Sequence, residues 1–353
     1  MKCLEKLSEK QAKRITVVLL ILGIALLACT AILIMGSGKG YEVTTYSMGS
    51  YVRQTVYGKE REEAARQAAN AVAGLEDLIS WRVEDSDIQK LNAQAGKEFI
   101  PIESQTWQLL KLSLSVCEAS GGAFDITIAP LSQLWDFDDN PHLPKPSLIK
   151  AMLPQVDYST LSLLEDGTAA LRNSGTAVDL GAVGKGAACD AAVEIYRQNG
   201  VDRAIIAVGG SVGLFGEKPF GEPWKITVRN PENTGGMGEL RLQEGFVSTS
   251  GSYEKTFTDE ETGKVYHHLL DPKTGYPAES GLVSVTVWGK SGALSDALST
   301  ACFVLGLEDS LPLLKEFGAG AVFLTEEHQV YVTENLAEAF SVSSSEYTFA
   351  GVV

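Results

Sequence analysis

VSTSGSYEKTFTDEETGKVYHHLLDPKTGYP, residues 247–277, holds the local signals from which the rest of the chain is read. Residues 253–258 and 264–270 are rich in β-branched and aromatic side chains and flank Asp-Glu-Glu-Thr-Gly, which predicts a hairpin. The second strand runs into Asp271-Pro272-Lys273-Thr274-Gly275. There proline presets φ at the second turn position, and glycine supplies the positive φ that closes the turn. Just before it stand His267 and His268, two of the four histidines in the chain. Neighbours on a strand point to opposite faces, so one ring can look into a site while the other looks away. A histidine beside an Asp-Pro turn is commonly structural, so a chemical role depends on what else converges there.

Toward the N-terminus, residues 1–14 carry Lys2, Lys6, Lys10, Lys13 and Arg14 against Glu5 and Glu9. Residues 15–35 follow without a charge. They would make about 30 Å of helix, enough to cross a bilayer. Positive charge ahead of this segment and an acidic chain behind it place the N-terminus in the cytoplasm and the remainder outside. Leu26-Leu27-Ala28-Cys29 resembles a bacterial lipoprotein cleavage box that would leave Cys29 lipidated. Bulky Leu27 and the apolar residues 30–35 favour an uncleaved membrane anchor instead. Residues 36–44, opening Gly-Ser-Gly-Lys-Gly, read as a linker, and residues 45–353 as the extracytoplasmic domain.

The whole chain carries a net charge of −16; its first 40 residues hold six basic and two acidic groups, which leaves −20 on the remainder. That balance argues against nucleic acid or an anionic membrane surface as partner, and it suits a site that recruits a cation. Cys117, Cys189 and Cys302 lie in apolar helical stretches without a C-x-x-C, so neither a disulfide framework nor a zinc site is indicated.

Met48-Gly49-Ser50 precedes a short strand, residues 51–57, and residues 60–79 form a helix with Ala64, Ala68, Val72, Leu75 and Ile79 along one face. Trp81 opens a polar loop that leads to a short helix capped near Ser86. It is either a core or rim aromatic or a flat surface for a heterocycle. Residues 104–120 are a third helix, closed by Gly121-Gly122. The double glycine of Gly121-Gly122-Ala123-Phe124-Asp125 lets backbone approach a ligand, beside one apolar wall and one acceptor. Residues 137–146 read as a loop and 161–172 as a hairpin turning at Asp166-Gly167. Asp179-Leu-Gly-Ala-Val-Gly-Lys-Gly186 joins an extended segment, 176–180, to a helix from about Gly184 to Asn199. Such an entry offers open amides and the positive end of the helix dipole to a phosphate, with Lys185 as a mobile charge. It matches neither the Walker pattern nor G-x-G-x-x-G. Asp179 either binds a ligand hydroxyl or caps the loop. In the helix beginning near Ser291, Asp296 and Thr300 are four apart and share a face, a pair of hard oxygens suited to Mg²⁺ in a spacing that is also common by chance.

Taken in order, these blocks resemble the ApbE family, the FAD:protein FMN transferases of the bacterial cell envelope. They are Met48-Gly49, Gly122-Ala-Phe-Asp125, Asp179 to Gly186, Thr249-Ser-Gly251, His268-Leu-Leu-Asp-Pro-Lys-Thr-Gly275 and Ser295-Asp-Ala-Leu-Ser-Thr300. The resemblance spans about residues 46–324, and the last two blocks are the most characteristic of the family. It implies an α+β fold with mixed or antiparallel sheets and packed helices, FAD as substrate, and Mg²⁺ on its pyrophosphate. By motif position Met48, Trp81, Ala123, Phe124, Asp125, Asp179, Lys185 and Leu270 would line the FAD site. Mg²⁺ would be held by the Ala182 carbonyl with Asp296 and Thr300, and His268 would be the base. The implied chemistry is transfer of FMN to a serine or threonine hydroxyl of an acceptor flavoprotein, releasing AMP. Lys273 stands where the family usually has arginine, keeping the charge without the bidentate phosphate geometry. Ser252 and Ser211 replace residues that are usually acidic. Hydrolysis of FAD to FMN and AMP, and capture of FAD by a tethered lipoprotein without chemistry, are the alternative readings.

Overall fold

In the computed structural model, residues 15–16, 18–24 and 38–353 are described. Residues 1–14 and most of the stretch expected to anchor the chain, Cys29 included, lie outside the described residues. Among those described, no helix is long and apolar enough to cross a membrane.

The chain opens with β1 (Tyr41–Ser47), β2 (Ser50–Tyr57), α1 (Arg61–Ile79), α2 (Asp87–Ala93), β3 (Ile100–Pro101) and α3 (Ser104–Ala119). It continues through α4 (Ala129–Trp135), α5 (Pro146–Met152), β4 (Leu161–Leu163), β5 (Thr168–Leu171), α6 (Gly181–Gln198), β6 (Arg203–Val208) and β7 (Ser211–Phe215). Next come β8 (Trp224–Arg229), β9 (Gly236–Leu242), β10 (Gly245–Gly251), β11 (Thr256–Thr258), β12 (Val265–His267) and β13 (Leu282–Gly289). The last elements are α7 (Gly292–Leu305), α8 (Leu307–Glu316), β14 (Gly320–Thr325), β15 (Gln329–Val332), β16 (Phe340–Val342) and β17 (Thr348–Val352).

Nine strands form one sheet in the order β1-β2-β6-β7-β10-β13-β14-β15-β17, antiparallel except for the final β15–β17 pair. The α+β expectation holds. One face of this sheet carries α1, α6 and α7, and the other carries the small sheet β16-β9-β8. β14 shows why its sequence is continuously apolar. Ala321 and Phe323 go to the helical core, while Val322 and Leu324 go to the core shared with Trp224, Ile226 and Leu240. The expected face of α1, from Ala64 to Ile79, is buried throughout. Ser86 caps α2 as its position foretells, its hydroxyl accepting the Gln89 N–H at 2.9 Å. Cys117, Cys189 and Cys302 are buried free thiols on α3, α6 and α7.

The decisive stretch folds as a hairpin of two three-residue strands, with Thr256 opposite His267 and Thr258 opposite Val265. It rests on its own satellite core of Leu131, Trp135, Ile149, Tyr266 and Leu270. The following turn closes through Gly275, whose φ is +74° and whose N–H donates to the Asp271 carbonyl at 2.8 Å. A Cβ there would lie 2.6 Å from Ile149 Cγ2, so glycine is required for space as well as for φ.

Three expectations are corrected. Strand β1 begins at Tyr41, inside the stretch expected to be linker, because it pairs along its whole length with β2. The two-residue turn between them puts Met48 at φ +55° and Gly49 at +64°, the geometry that matches the twist of a tight hairpin. The 137–146 loop ends in a short helix, α5, with proline in its first turn. Residues 176–180, expected as an extended segment, lie outside the named strands and make a single bridge, from Ala177 to Ile128. Finally, α6 starts at Gly181 and not at Gly184, which changes what its glycines do.

Candidate active site

Helices α6 and α7 cross so closely that only glycine fits at the contact. A Cβ on Gly186 would lie 2.0 Å from the Gly292 carbonyl oxygen, and one on Gly292 would lie 2.2 Å from that of Gly186. The expected row of open amides at the start of α6 is absent. The Gly181 N–H donates to Asp179 Oδ1 at 2.8 Å, and Val183 and Gly184 donate to the Leu180 carbonyl at 3.1 and 2.8 Å. Gly186 therefore serves helix contact, at a propensity cost of about 1 kcal/mol relative to alanine. Gly186→Ala has backbone as its obstacle and no flexible side chain to move. We expect it to cost at least about 1–3 kcal/mol, read as a lower denaturation midpoint. An unchanged midpoint would refute the close crossing.

Asp296 sits in this crossing, buried. Its Oδ2 accepts the Gly186 N–H at 2.9 Å and its Oδ1 the Ser211 hydroxyl at 3.3 Å. The ordinary helical acceptor of that Gly186 amide is the Ala182 carbonyl, four residues earlier. One turn along α7, Thr300 shares its hydroxyl with Ser250 at 3.1 Å, and Ser250 is 2.7 Å from the Ser299 hydroxyl. Ser299 donates to the Asp296 carbonyl at 2.8 Å, and Ser248 donates to Ser211 at 3.0 Å. Burial pushes the Asp296 pKa up, opposed by the Lys185 charge and by the Gly186 and Ser211 donors. Among the described residues Asp296 makes no ion pair, and no group of three or more His, Cys, Asp or Glu could hold a metal. A cation here would meet one carboxylate and neutral oxygens, leaving further positions for a substrate. That donor set fits Mg²⁺, which typically takes one or two carboxylates plus substrate phosphates.

Around the start of α6 the chain brings together three more segments. Met48 Sδ is 4.0 Å from the position of a Cβ on Gly184. A Cβ on Gly209 would lie 3.0 Å from Ser50 Oγ and 3.2 Å from Lys185 Cδ. Lys185 Nζ donates to the Gly181 carbonyl at 3.2 Å. Its charge acts to lower the pKa of both Asp296 and His268.

The two histidines have different surroundings, although β12 ends at His267 and His268 lies just beyond it, not on the strand as expected. His267 Nε2 lies 3.2 Å from the Ala278 carbonyl, its ring edge meets Phe303 and its buried Nδ1 has no partner. His268 is half-buried, with Nδ1 3.2 Å from the Glu254 carbonyl. A carbonyl only accepts, so Nδ1 carries the proton and Nε2 is left as the acceptor. Burial, then the charges of Lys255 and Lys185, push the His268 pKa down to about 3.

The other expected residues sit as follows. Trp81 is partly buried, with the Arg82 guanidinium 4.3 Å from its ring centre, so one of its flat faces is covered. Arg82 reaches on to Asp138 and Asp139, and Asp138 also takes Lys255. Ala123, Phe124 and Leu270 are buried. Asp125 accepts the Thr127 N–H at 2.7 Å, the Thr127 hydroxyl at 2.6 Å and the Tyr158 N–H at 3.0 Å. Burial raises its pKa despite those donors. It is occupied with holding its own loop, and Asp179 with capping α6. The sequence analysis gave Ser250 and Ser299 no role beyond their place in the Thr249-Ser-Gly251 and Ser295–Thr300 blocks, and offered no reason to single out Ser248 or Lys255.

Known proteins resemble this chain over most of its length. The model of the ApbE family matches residues 48–323. A FAD:protein FMN transferase of Treponema pallidum is 31% identical, over 92% of this chain and 96% of that protein. One of Salmonella typhimurium is 28% identical, over 88% of this chain and 94% of its own length. Among solved structures, the ApbE protein of Thermotoga maritima has a TM-score of 0.79 at 29% identity, covering 85% of this chain and 99% of that one. The flavinyl transferase ApbE of Pseudomonas stutzeri, in its apo form, has a TM-score of 0.76 at 28% identity, covering 87% and 98%.

Proposed function

This chain belongs to the ApbE family, and from that premise we propose that it transfers FMN from FAD to a serine or threonine hydroxyl of an acceptor flavoprotein, releasing AMP. The observation that carries the site assignment is Asp296, a buried carboxylate that accepts from the Gly186 amide and the Ser211 hydroxyl, with Lys185 close by. Its partners for Mg²⁺ are Thr300 and the Ala182 carbonyl. The metal, when bound, neutralises charge on the FAD pyrophosphate. The remaining work belongs to the chain. Lys185 offers its ammonium to the phosphates, and Met48 and Trp81 bound the cleft where the rings lie. His268 Nε2 takes the proton of the acceptor hydroxyl as its oxygen bonds to the FMN phosphorus. The bond from that phosphorus to the bridging oxygen breaks, and AMP leaves with that oxygen. Incubation with FAD and Mg²⁺, with and without acceptor protein, tests the reading. AMP only with acceptor supports transfer, AMP without acceptor means hydrolysis, and no AMP means binding alone.

We infer that the reaction takes place on the outer face of the cell membrane; residues 15–35, uncharged and preceded by a basic segment, support this reading. A membrane-bound product retaining Met1, digestible by protease from outside, is the expected form. A mature chain starting at diacylglyceryl Cys29 would overturn the uncleaved anchor in favour of a lipoprotein.

A further inference from the structure

We propose that Asp190 is a positioning residue for this reaction: it holds the start of α7 against α6 and thereby sets where Asp296 and Thr300 stand relative to Ala182 and Lys185. The inference rests on the site reading given above. Asp190 lies one helical turn beyond Gly186 on the same face of α6. Its Oδ1 accepts the Gly292 N–H at 2.7 Å, and its Oδ2 accepts the Ala293 N–H at 2.8 Å and the Ser291 hydroxyl at 3.1 Å. The Ser291 hydroxyl in turn accepts the Leu294 N–H at 3.4 Å. The open amides of the first turn of α7 are thus satisfied, two of them from another helix. A cap ordinarily comes from the residue just before the helix, as Ser291 does. Asp190 comes from 102 residues earlier, so its bonds tie two elements together. A carboxylate at a helix N-terminus is also favoured by the dipole, and its hydrogen bonds are charge-assisted.

Asp296 makes the reverse connection, from α7 to the Gly186 amide of α6. One aspartate of each helix grips the other helix, with the Gly186–Gly292 contact between them. This reciprocal clasp leaves little room for α7 to slide or turn, and Asp296 lies one turn inside it. Loosening the Asp190 half frees the start of α7 and lets Asp296 move away from Ala182. Metal affinity is sensitive to such support, because ligands need their orientation fixed from behind.

The test uses the full chain at a temperature well below its unfolding midpoint. Asp190→Asn keeps the shape and one acceptor but turns an NH₂ group toward the remaining donors. Mn²⁺ binding in the presence of FAD, followed by paramagnetic resonance, is expected to weaken about 10- to 100-fold. FAD affinity without metal should stay unchanged. The Gly186 amide, not itself bonded to Asp190, should exchange with solvent faster. A lower unfolding midpoint with Mn²⁺ affinity and Gly186 exchange both unchanged would overturn the proposal and leave Asp190 a helix cap. Asp296→Ala, run alongside, separates two failures. If it binds Mn²⁺ as tightly as the parent, the metal assignment is wrong. Gly186 exchange in Asp190→Asn then decides alone whether the clasp holds the two helices in register.

Discussion

Asp296→Ala is expected to abolish AMP release from FAD while the protein stays folded. The carboxylate is the one charged oxygen donor in the proposed cation site, and a metal at a pyrophosphate contributes several kcal/mol of charge stabilisation. Each 1.4 kcal/mol is about tenfold in rate, so the loss should reach about 10³-fold or more. The substitution also strips partners from the Gly186 amide and the Ser211 hydroxyl, at about 1–3 kcal/mol for each buried group left unsatisfied. Removing a buried carboxylate whose pKa burial has raised offsets part of that. Circular dichroism and the unfolding midpoint check the fold. Thr300→Val should weaken activity less, since a neutral hydroxyl gives a hard cation less than a carboxylate does. Full activity of the Asp296 variant at low Mg²⁺ would sink the assignment.

His268→Asn should bind FAD nearly normally and transfer FMN about 10² to 10⁴ times more slowly, the range typical of a lost general base. His267→Asn should do much less, because that ring is spent on Ala278 and Phe303. The structure changes the expected pH dependence. From the ordinary histidine value, loss of base form would cut the rate near pH 6 to 7. With its pKa pushed down to about 3, His268 keeps its base form far into the acid range, and that limb should be missing. The same shift fixes a sign for stability. Between pH 6.5 and about 3 the unfolded chain binds a proton at this residue that the folded chain refuses. Stability therefore falls as pH drops through that window, and His268→Asn removes this contribution. Single-turnover FMN transfer across pH, beside FAD titration, measures both. Equal activity of the two variants, or loss of FAD binding in proportion to rate, would move the base elsewhere.

What the sequence alone determined about this protein is what short-range physics encodes. The Asp271–Gly275 turn, the buried face of α1 and the Ser86 cap depend on φ limits, helical period and one nearby amide, all confined to a few residues. The same locality placed Asp296 and Thr300 on one helix face. The tertiary structure alone decided which carboxylates face the site. Asp125, Asp179, Asp190 and Asp296 have the same side chain, yet the first holds its own loop, the second caps α6 and the last two join helices. The bond from Gly186 to Asp296 spans 110 residues, and no local rule foresees it. Its formation depends on two glycines, distant in the chain, that let two backbones meet where any Cβ would collide. A glycine-rich helix entry looks the same in sequence whether its missing side chains make room for a phosphate or for another helix, and only the partner across the contact distinguishes them.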